Sequence, residues 1–518
     1  MAPGNVGAGG RVTHEQVVLP AQCHPPQGGV DQVLSIGHLI DGGPEPKPQG
    51  LRMVKITLEV PEELAAEFLA LEARLKKVEA DRVGVENAIP ESDIEKVTSG
   101  ISLTLKRRSL QGLDIDERRI LINGEQHARV GRYQSAYLAK EGPITVMRSI
   151  YRRCGERNGP TVDTVTLRSG AVDGWLPSGA QAAAFLLQQG TSREAEATAK
   201  ELGVYPYSRS SFERVAHTVG AAYGAQRESI DETLIRAFVV PAEARSVSVS
   251  IDRVAVPFEE SRARPPGRPK KGSAKRPISR VWHMAYVGTV TLHDTNGEAL
   301  HTIRYGRVPD EGKDQLVDGL ASDCLSFLRQ KRRLKVVVLT DGAPELIDAL
   351  DAKVNREMLG VDVVRMVDFW HVAEKLGTAA RAIHGDGGPK VLDRWKALLL
   401  NTDTAVARIR GEIEGPASAE PKNRTDRPIH AALTYLDNRG GRMGYAAARR
   451  QGLPIGSGNV EATCKSLVGQ RMVRTGSRWK QETAQDIIDL RALALSSRWQ
   501  LAIALVLKPG IWRIRAAA

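Results

Sequence analysis

Apolar and polar residues alternate over residues 51–60 (Met53, Ile56, Leu58, Val60) and then, after Pro61, apolar residues recur as Leu64, Phe68, Leu71, Leu75 and Val78. The first period is that of a strand and the second that of an amphipathic helix of about five turns. Residues 100–155 read as short strands and turns, ending in the run Pro143-Ile-Thr-Val-Met-Arg-Ser-Ile-Tyr-Arg-Arg-Cys-Gly155. From 177 to 226 the pattern is helical with breaks at Gln189-Gly190-Thr191 and Leu202-Gly203-Val204. Three short helices are expected there, with Ser192 capping the second and Ser208 or Ser211 the third.

Helix, short turn and helix at this length fit a helix-turn-helix unit over 177–230, with Arg209, Ser210, Arg214 and His217 along its third helix. A plain three-helix bundle fits the same pattern. Beyond Arg245 the texture becomes α/β. The run Ser246-Val-Ser-Val-Ser-Ile-Asp252 predicts a strand, and 281–292 and 299–305 predict two more, joined at Asp294-Thr-Asn-Gly297. A helix follows over 315–332, then a strand Lys335-Val-Val-Val-Leu-Thr-Asp341, a helix from about Pro344, and a fifth strand over 361–368. The order βββαβαβ is that of a ribonuclease-H-like fold, in which strands one and four lie side by side and parallel. Residues 372–455 are mostly helical, with a polar break at 415–428, and read as an insertion before the α/β pattern resumes over 456–505.

Composition adds bounds rather than identity. Residues 1–50 are so rich in glycine and proline that a disordered leader is expected. Residues 51–155 form a mixed α+β N-terminal region. Lys and Arg number 73 against 61 acids, a net charge of +12 that favours a polyanionic partner. The four cysteines (Cys23, Cys154, Cys324, Cys464) form no CxxC pair, which argues against a disulfide framework or a zinc ribbon. With no signal-like start and no long uncharged apolar run, a soluble, cytoplasmic protein is expected.

The chemistry rests on acids. Asp252 and Asp341 end apolar strands expected to be parallel neighbours, at the carboxyl edge where open α/β sheets carry their sites. The third candidate is Glu461 in Gly456-Ser-Gly-Asn-Val-Glu-Ala-Thr-Cys-Lys465, one turn into a glycine-punctuated helix. Three clustered carboxylates repel, by roughly 4 kcal/mol per close pair, unless divalent cations neutralise them. Hard oxygen ligands with no neighbouring Cys or His select Mg²⁺ or Mn²⁺, two ions being able to flank a phosphodiester, and no zinc is expected.

The segment Leu453-Pro-Ile-Gly-Ser-Gly-Asn-Val-Glu461, with Lys465, Arg471-Met472, Thr475-Gly476, Arg478-Trp479 and Asp489-Leu-Arg491, resembles the C-terminal catalytic motif of the Kra group of bacterial insertion-sequence transposases, members of the DDE superfamily. Thr340-Asp-Gly-Ala343 and Val367-Asp-Phe-Trp-His371 are similar to that group's second-aspartate strand and its Asp-x-x-His element, and the resemblance runs from about residue 140 to 505. It implies Asp252, Asp341 and Glu461 as the DDE triad and metal ligands in a catalytic domain of residues 245–371 and 456–505. It also implies double-stranded DNA (terminal repeats and target) as partner, a homo-oligomer, and a bacterial, nucleoid-associated setting. One departure is the lone Cys154 where relatives often carry a cysteine pair, which alone cannot build a four-ligand zinc site.

Several residues carry two readings. Asp368 and His371 could serve the site, His371 touching DNA or a metal-bound phosphate, or Asp368 could simply cap the helix that begins at Phe369. Lys465 could ground a phosphate or pair with Glu461. A run of eight basic residues and no acid over 262–280, including Arg268, Lys270, Lys271, Lys275 and Arg276, reads as a DNA-tracking arm or as a solvated loop. Arg471, Arg474 and Arg478 form a second basic patch beside Trp479, which could stack on a base or sit in the core. The function expected is metal-dependent phosphodiester hydrolysis and strand transfer by a DNA transposase. The rivals are an inactive DNA-binding repressor and a ribonuclease-H-like nuclease that cuts without joining.

Overall fold

The computed structural model describes residues 65–66, 69–70, 73, 91–203, 207–259, 279–309, 312–422 and 426–517. The chain divides into two units, Met1–Leu105 and Lys106–Ala518. In the first unit the described residues at 65–73 are helical, within the amphipathic segment the sequence predicts. The expected leader and the strand over 51–60 lie outside the described residues. Helix α1 (Glu91–Gln111) corrects the expectation of strands from residue 100. Ile94, Val97, Ile101 and Leu105 stand three or four apart, a helical spacing that the local Ile-Ser-Leu-Thr-Leu alternation masks.

The second unit is a mixed α/β body with two five-stranded sheets. The first joins β1 (Arg119–Ile122), β2 (Glu125–Leu138), β3 (Pro143–Arg153) and β4 (Thr161–Asp163) in an antiparallel meander. It is completed at the β1 edge by β10 (Ile514–Ala516) from the far end of the chain. Cys154 is exposed just past β3, with no second cysteine beside it among the described residues, and the short helix α2 (Thr164–Ser169) follows β4.

The second sheet contains β5 (Ser246–Glu259), β6 (Arg280–His293), β7 (Ala299–Arg307), β8 (Lys335–Thr340) and β9 (Val363–Val367) in the order β7-β6-β5-β8-β9, with the short helix α8 (Arg356–Leu359) leading into β9. Pairs β5–β6 and β6–β7 are antiparallel, whereas β5–β8 and β8–β9 are parallel, so strands one and four are neighbours as their sequence order predicts. The uninterrupted apolar run of β8 follows from burial on both faces. Val336 and Val338 belong to one core, with α6 (Lys313–Gln330) and α7 (Pro344–Lys353), whereas Val337 and Leu339 belong to another.

That second core is built by residues 369–453. Helices α9 (Phe369–His384), α10 (Gly388–Asn401), α11 (Ala405–Ala419), α12 (Pro428–Arg439) and α13 (Tyr445–Arg450) carry Trp395, Ile409, Leu436 and Tyr445 into it. The expected break at 415–428 starts later, because α11 runs through Pro416 to Ala419. Its buried stripe Ile409, Ile413 and Ala417 continues past the proline. The buried Glu420 carboxylate then accepts from the backbone N–H groups of Ile429 (3.3 Å) and His430 (2.9 Å), capping α12.

Helices α3 (Pro177–Gln189), α4 (Ser192–Glu201) and α5 (Arg209–Ala237) appear where the sequence predicts three, but the third spans 29 residues. They have no core to themselves. Phe212, Val215 and Val219 pack in one cluster with Ile487, Leu490, Trp499 and Ile503, from α16 (Gln481–Leu495) and α17 (Trp499–Val506). Between the sheet and α16 run α14 (Gly458–Thr463), a π-helical turn (Cys464–Gly469) and α15 (Gln470–Met472). No helix among the described residues is long and apolar enough to cross a membrane.

Candidate functional site

The parallel register aligns three acids. Ser250 pairs with Leu339 and Thr340 with Val367, so the same offsets carried on bring Asp252, Asp341 and Asp368 level across β5, β8 and β9. Parallel strands put all three at the carboxyl edge of the sheet.

Asp341 directly follows β8, and its Oδ1 accepts from the Ala343 N–H at 2.9 Å. The turn is held by the helical segment after β9. Tyr435 donates its hydroxyl to the Asp341 carbonyl (3.3 Å) and Arg439 Nε donates to the Gly342 carbonyl (3.0 Å). Burial and the Asp341 charge push the Tyr435 phenol up to about 12, so it remains a donor. Gly342 has φ +94°, and a Cβ there would lie 2.9 Å from Tyr435 Oη, so glycine is required.

Asp252 sits within β5, opposite Val287 of β6. Its Oδ1 accepts from the Arg253 N–H (2.7 Å) and its Oδ2 from the Cys464 thiol (3.4 Å). Burial and the Asp252 charge push that thiol well up, so it is a neutral donor.

Asp368 is fully buried and is the N-cap of α9. Its Oδ1 accepts from the His371 N–H at 2.9 Å, and its Oδ2 from the backbone N–H and, at 3.0 Å, the hydroxyl of Ser457. Burial alone would raise this carboxyl, but the bonds from His371 and Ser457 hold it below the usual range. Gly456, whose Cβ would stand 3.4 Å from Asp368 Oδ2, lets the chain pass this close.

Glu461, in the first turn of α14, meets the same cluster. Its Oε1 accepts from Ser457 Oγ at 3.5 Å and lies 3.7 Å from His371 Nδ1. The Asp368 hydrogen bond raises His371 above the ordinary imidazole value against the opposing effect of burial, with Glu461 and Asp341 adding to it. A π-helical turn follows at Cys464, the kind of local rearrangement that recurs at functional sites.

Among the described residues, the group of ligand atoms that closes to within 4.8 Å is that of Asp368, His371 and Glu461. Asp252 and Asp341 lie outside this group. The donor chemistry suits a divalent cation, since carboxylate oxygens and one imidazole nitrogen converge. His371 and Cys464 also stand at these acids, His371 beside Asp368 and Glu461 and Cys464 beside Asp252. Asp368 is already engaged by four donors, the backbone N–H and imidazole of His371 and the backbone N–H and hydroxyl of Ser457, so it anchors the edge first of all.

The sequence reading missed Ser457, Cys464, Tyr435 and Trp370. Ser457 lies inside the Gly-Ser-Gly-x-Val-Glu stretch, which was a signal for it, and Cys464 lies three residues beyond Glu461. Trp370 adjoins Asp368 and is 64% exposed, whereas Phe369 is buried.

The basic residues separate. Lys465 is exposed, and among the described residues no ion pair joins it to Glu461. Arg209 is exposed, and Arg214 pairs with Asp173 at 2.5 Å. Arg474 grips Glu194 through two bonds (2.6 and 2.8 Å), and Arg478 pairs with Glu259 at 3.1 Å. Arg471 is buried and is not a surface contact. It donates to the Leu187 carbonyl at 3.2 Å and lies over the Trp479 ring at 4.8 Å. Trp479 is part-buried and bonded through Nε1 to the Met472 carbonyl, as its core reading expects. Arg268, Lys270, Lys271, Lys275 and Arg276 lie outside the described residues.

No protein-family model matches the chain, and no curated protein matches it. Among solved structures it is similar to the Drosophila P element transposase strand transfer complex, with 10% sequence identity and a TM-score of 0.29 over 63% of this chain and 93% of that one, a likeness too distant to assign a fold or an activity.

Proposed function

We propose that this protein is a metal-dependent DNA transposase of the DDE type, built on a ribonuclease-H-like catalytic domain. The observation that carries the reading is the shared level of Asp252 and Asp341 on adjacent parallel strands, with Glu461 delivered to the same edge by α14. The resemblance of the segment from Leu453 to Arg491 to the Kra-group motif supports it.

In this reading Asp252, Asp341 and Glu461 hold Mg²⁺ or Mn²⁺. When bound, the ions supply activation of a water or a 3′-hydroxyl and stabilisation of the leaving oxygen. The protein's own part is positioning. Tyr435 and Arg439 fix the Asp341 turn, Cys464 fixes the Asp252 carboxylate, and Asp368 ties Ser457 to α9 so that Ser457 and His371 orient Glu461. Lys465 and Arg209 are the exposed cations proposed to contact the phosphate backbone, which fits the chain's net charge of +12. Two protomers would hold two element ends.

The test is cleavage and joining of a duplex that carries the element's own ends, taken from the DNA flanking the gene, with Mg²⁺ or Mn²⁺. Joined products from the parent protein that vanish in Asp341→Ala and Glu461→Ala, while DNA binding persists, are expected. Cut ends without joined product would favour a nuclease. Specific binding without any metal-dependent product would favour a repressor.

A further inference from the structure

On the side of the sheet edge formed by β7, a small cavity lies where α5, β7 and α16 meet. It is small, with room for a water or a small ion. Its wall is unusual in charge. Four guanidinium groups, Arg227, Arg304, Arg307 and Arg498, line it together with only two carboxylates, Asp231 and Asp489.

The pairing leaves a cation over. Asp489 serves both Arg227 (Nη1 to Oδ1, 2.8 Å) and Arg307 (Nη1 to Oδ1, 3.1 Å). Arg498 pairs with Asp323 behind the wall and donates to the Tyr305 hydroxyl at 2.9 Å. Asp231 accepts from the Tyr223 hydroxyl at 2.6 Å, and burial pushes its carboxyl up, which weakens it as a counter-charge. Arg304 reaches the carbonyls of Thr302 (2.8 Å) and Leu495, and no carboxylate pairs with it among the described residues. The excess is felt nearby, since burial and the charges of Arg498 and Arg304 hold His301 below the ordinary imidazole value.

Two donors also lack acceptors. Arg307 and Arg498 are 4% and 7% exposed, and the Nε of each is buried without a hydrogen-bond partner. A buried N–H left unmade on a charged group carries the full desolvation penalty, and the excess positive charge of the half-buried Arg304 beside it adds to it. A neutral water could accept these bonds but would leave the charge uncompensated. A single-atom anion suits a site this small and balances the charge.

We propose that this cavity binds one small monovalent inorganic anion of the halide class, held by Arg307 and Arg498 and balancing Arg304. The anion is a bolt between the three-helix module, the edge strand and α16, and it is independent of the acid edge and of the transposase reading.

The test uses the full chain at constant ionic strength, with sodium bromide or chloride replacing sodium gluconate. Expected are a saturable rise in Tm of about 1–3 °C with halide and an anomalous bromide peak in the cavity of a crystal grown in bromide. Arg304→Gln, which breaks no ion pair, should fold and lose the halide response. Arg307→Lys, which keeps the charge but removes the Nε–H, should raise the half-saturating bromide concentration at least tenfold. Equal Tm in halide and gluconate, a crystal with a water and no anomalous peak, or an undiminished response in Arg304→Gln would each overturn the proposal.

Discussion

Asp252 and Asp341 each stand two residues beyond Ser250 and Leu339, the last pair of the parallel β5–β8 ladder, and so share its offset. Neither residue needs a long side chain or a mobile loop to reach the edge. Under the proposed function, Asp341→Asn should lower metal-dependent cleavage by more than the roughly 100-fold cost of losing an outer-shell partner. Thermal unfolding should change little, since the Asn still accepts from the Ala343 N–H. A cleavage time course together with a melting curve checks this.

Gly342 should tolerate no side chain. Its φ of +94° and the 2.9 Å approach of a Cβ to Tyr435 Oη both penalise Gly342→Ala. A loss of about 1–3 kcal/mol in urea unfolding is expected. Tyr435→Phe in the same background should recover part of it by relieving the contact.

Asp368 ties two segments, so its removal should read out in stability before anything else. Asp368→Ala leaves the α9 cap and the Ser457 N–H without an acceptor in a buried place, at about 2–4 kcal/mol. Ser457→Ala removes only the hydroxyl shared between Asp368 and Glu461 and should cost about 1 kcal/mol. Denaturant midpoints of the two variants decide the order, and an equal cost would contradict the tie.

Glu194 supplies a pH dependence of defined sign. Bonds from Arg474 and from the Thr191 cap hold its carboxyl down to about 2 in the folded chain, against 4.5 unperturbed. Its contribution to stability is therefore complete above about pH 4.5 and is lost as the pH falls toward 2. The pair is half exposed, so salt should shrink the effect. Glu194→Gln should flatten the Tm profile between pH 5 and pH 3, which melting in low and high salt checks.

Lys465 and Arg471 should behave oppositely despite their closeness in sequence. Arg471→Ala removes a buried guanidinium from the Leu187 carbonyl and the Trp479 ring, and should cost about 2–3 kcal/mol of stability. Lys465→Ala should leave melting unchanged while weakening DNA binding and reducing its salt slope by about one. Binding titrations at several salt concentrations, alongside unfolding curves, separate the two.

The strands and helices of the central sheet were legible because their signals are local. A Val-rich run flanked by turn residues is a buried strand whatever surrounds it, and Asp294-Thr-Asn-Gly297 turns the chain between β6 and β7. The adjacency of strands one and four followed from element order, since a right-handed crossover leaves few other places for β8. Asp341 and Glu461 were legible as candidates for the same reason, at a strand end and a helix start, whereas β5 runs on past Asp252 to Glu259, so that its expected strand end is corrected.

What depended on the tertiary structure is every property that joins distant segments. Helix α1 overrode an apparent alternation, and α11 ran through Pro416 because its buried stripe outweighed the break. Arg471 and Trp479 look like a basic, aromatic surface in the chain, yet packing against Leu187 turns both inward. His371 stands three residues from Asp368 and Cys464 three from Glu461, but only the fold brings His371 to Glu461 and Cys464 to Asp252. Periodicity and residue type determine what a segment prefers, but partners, burial and charge balance arise only when the segments meet.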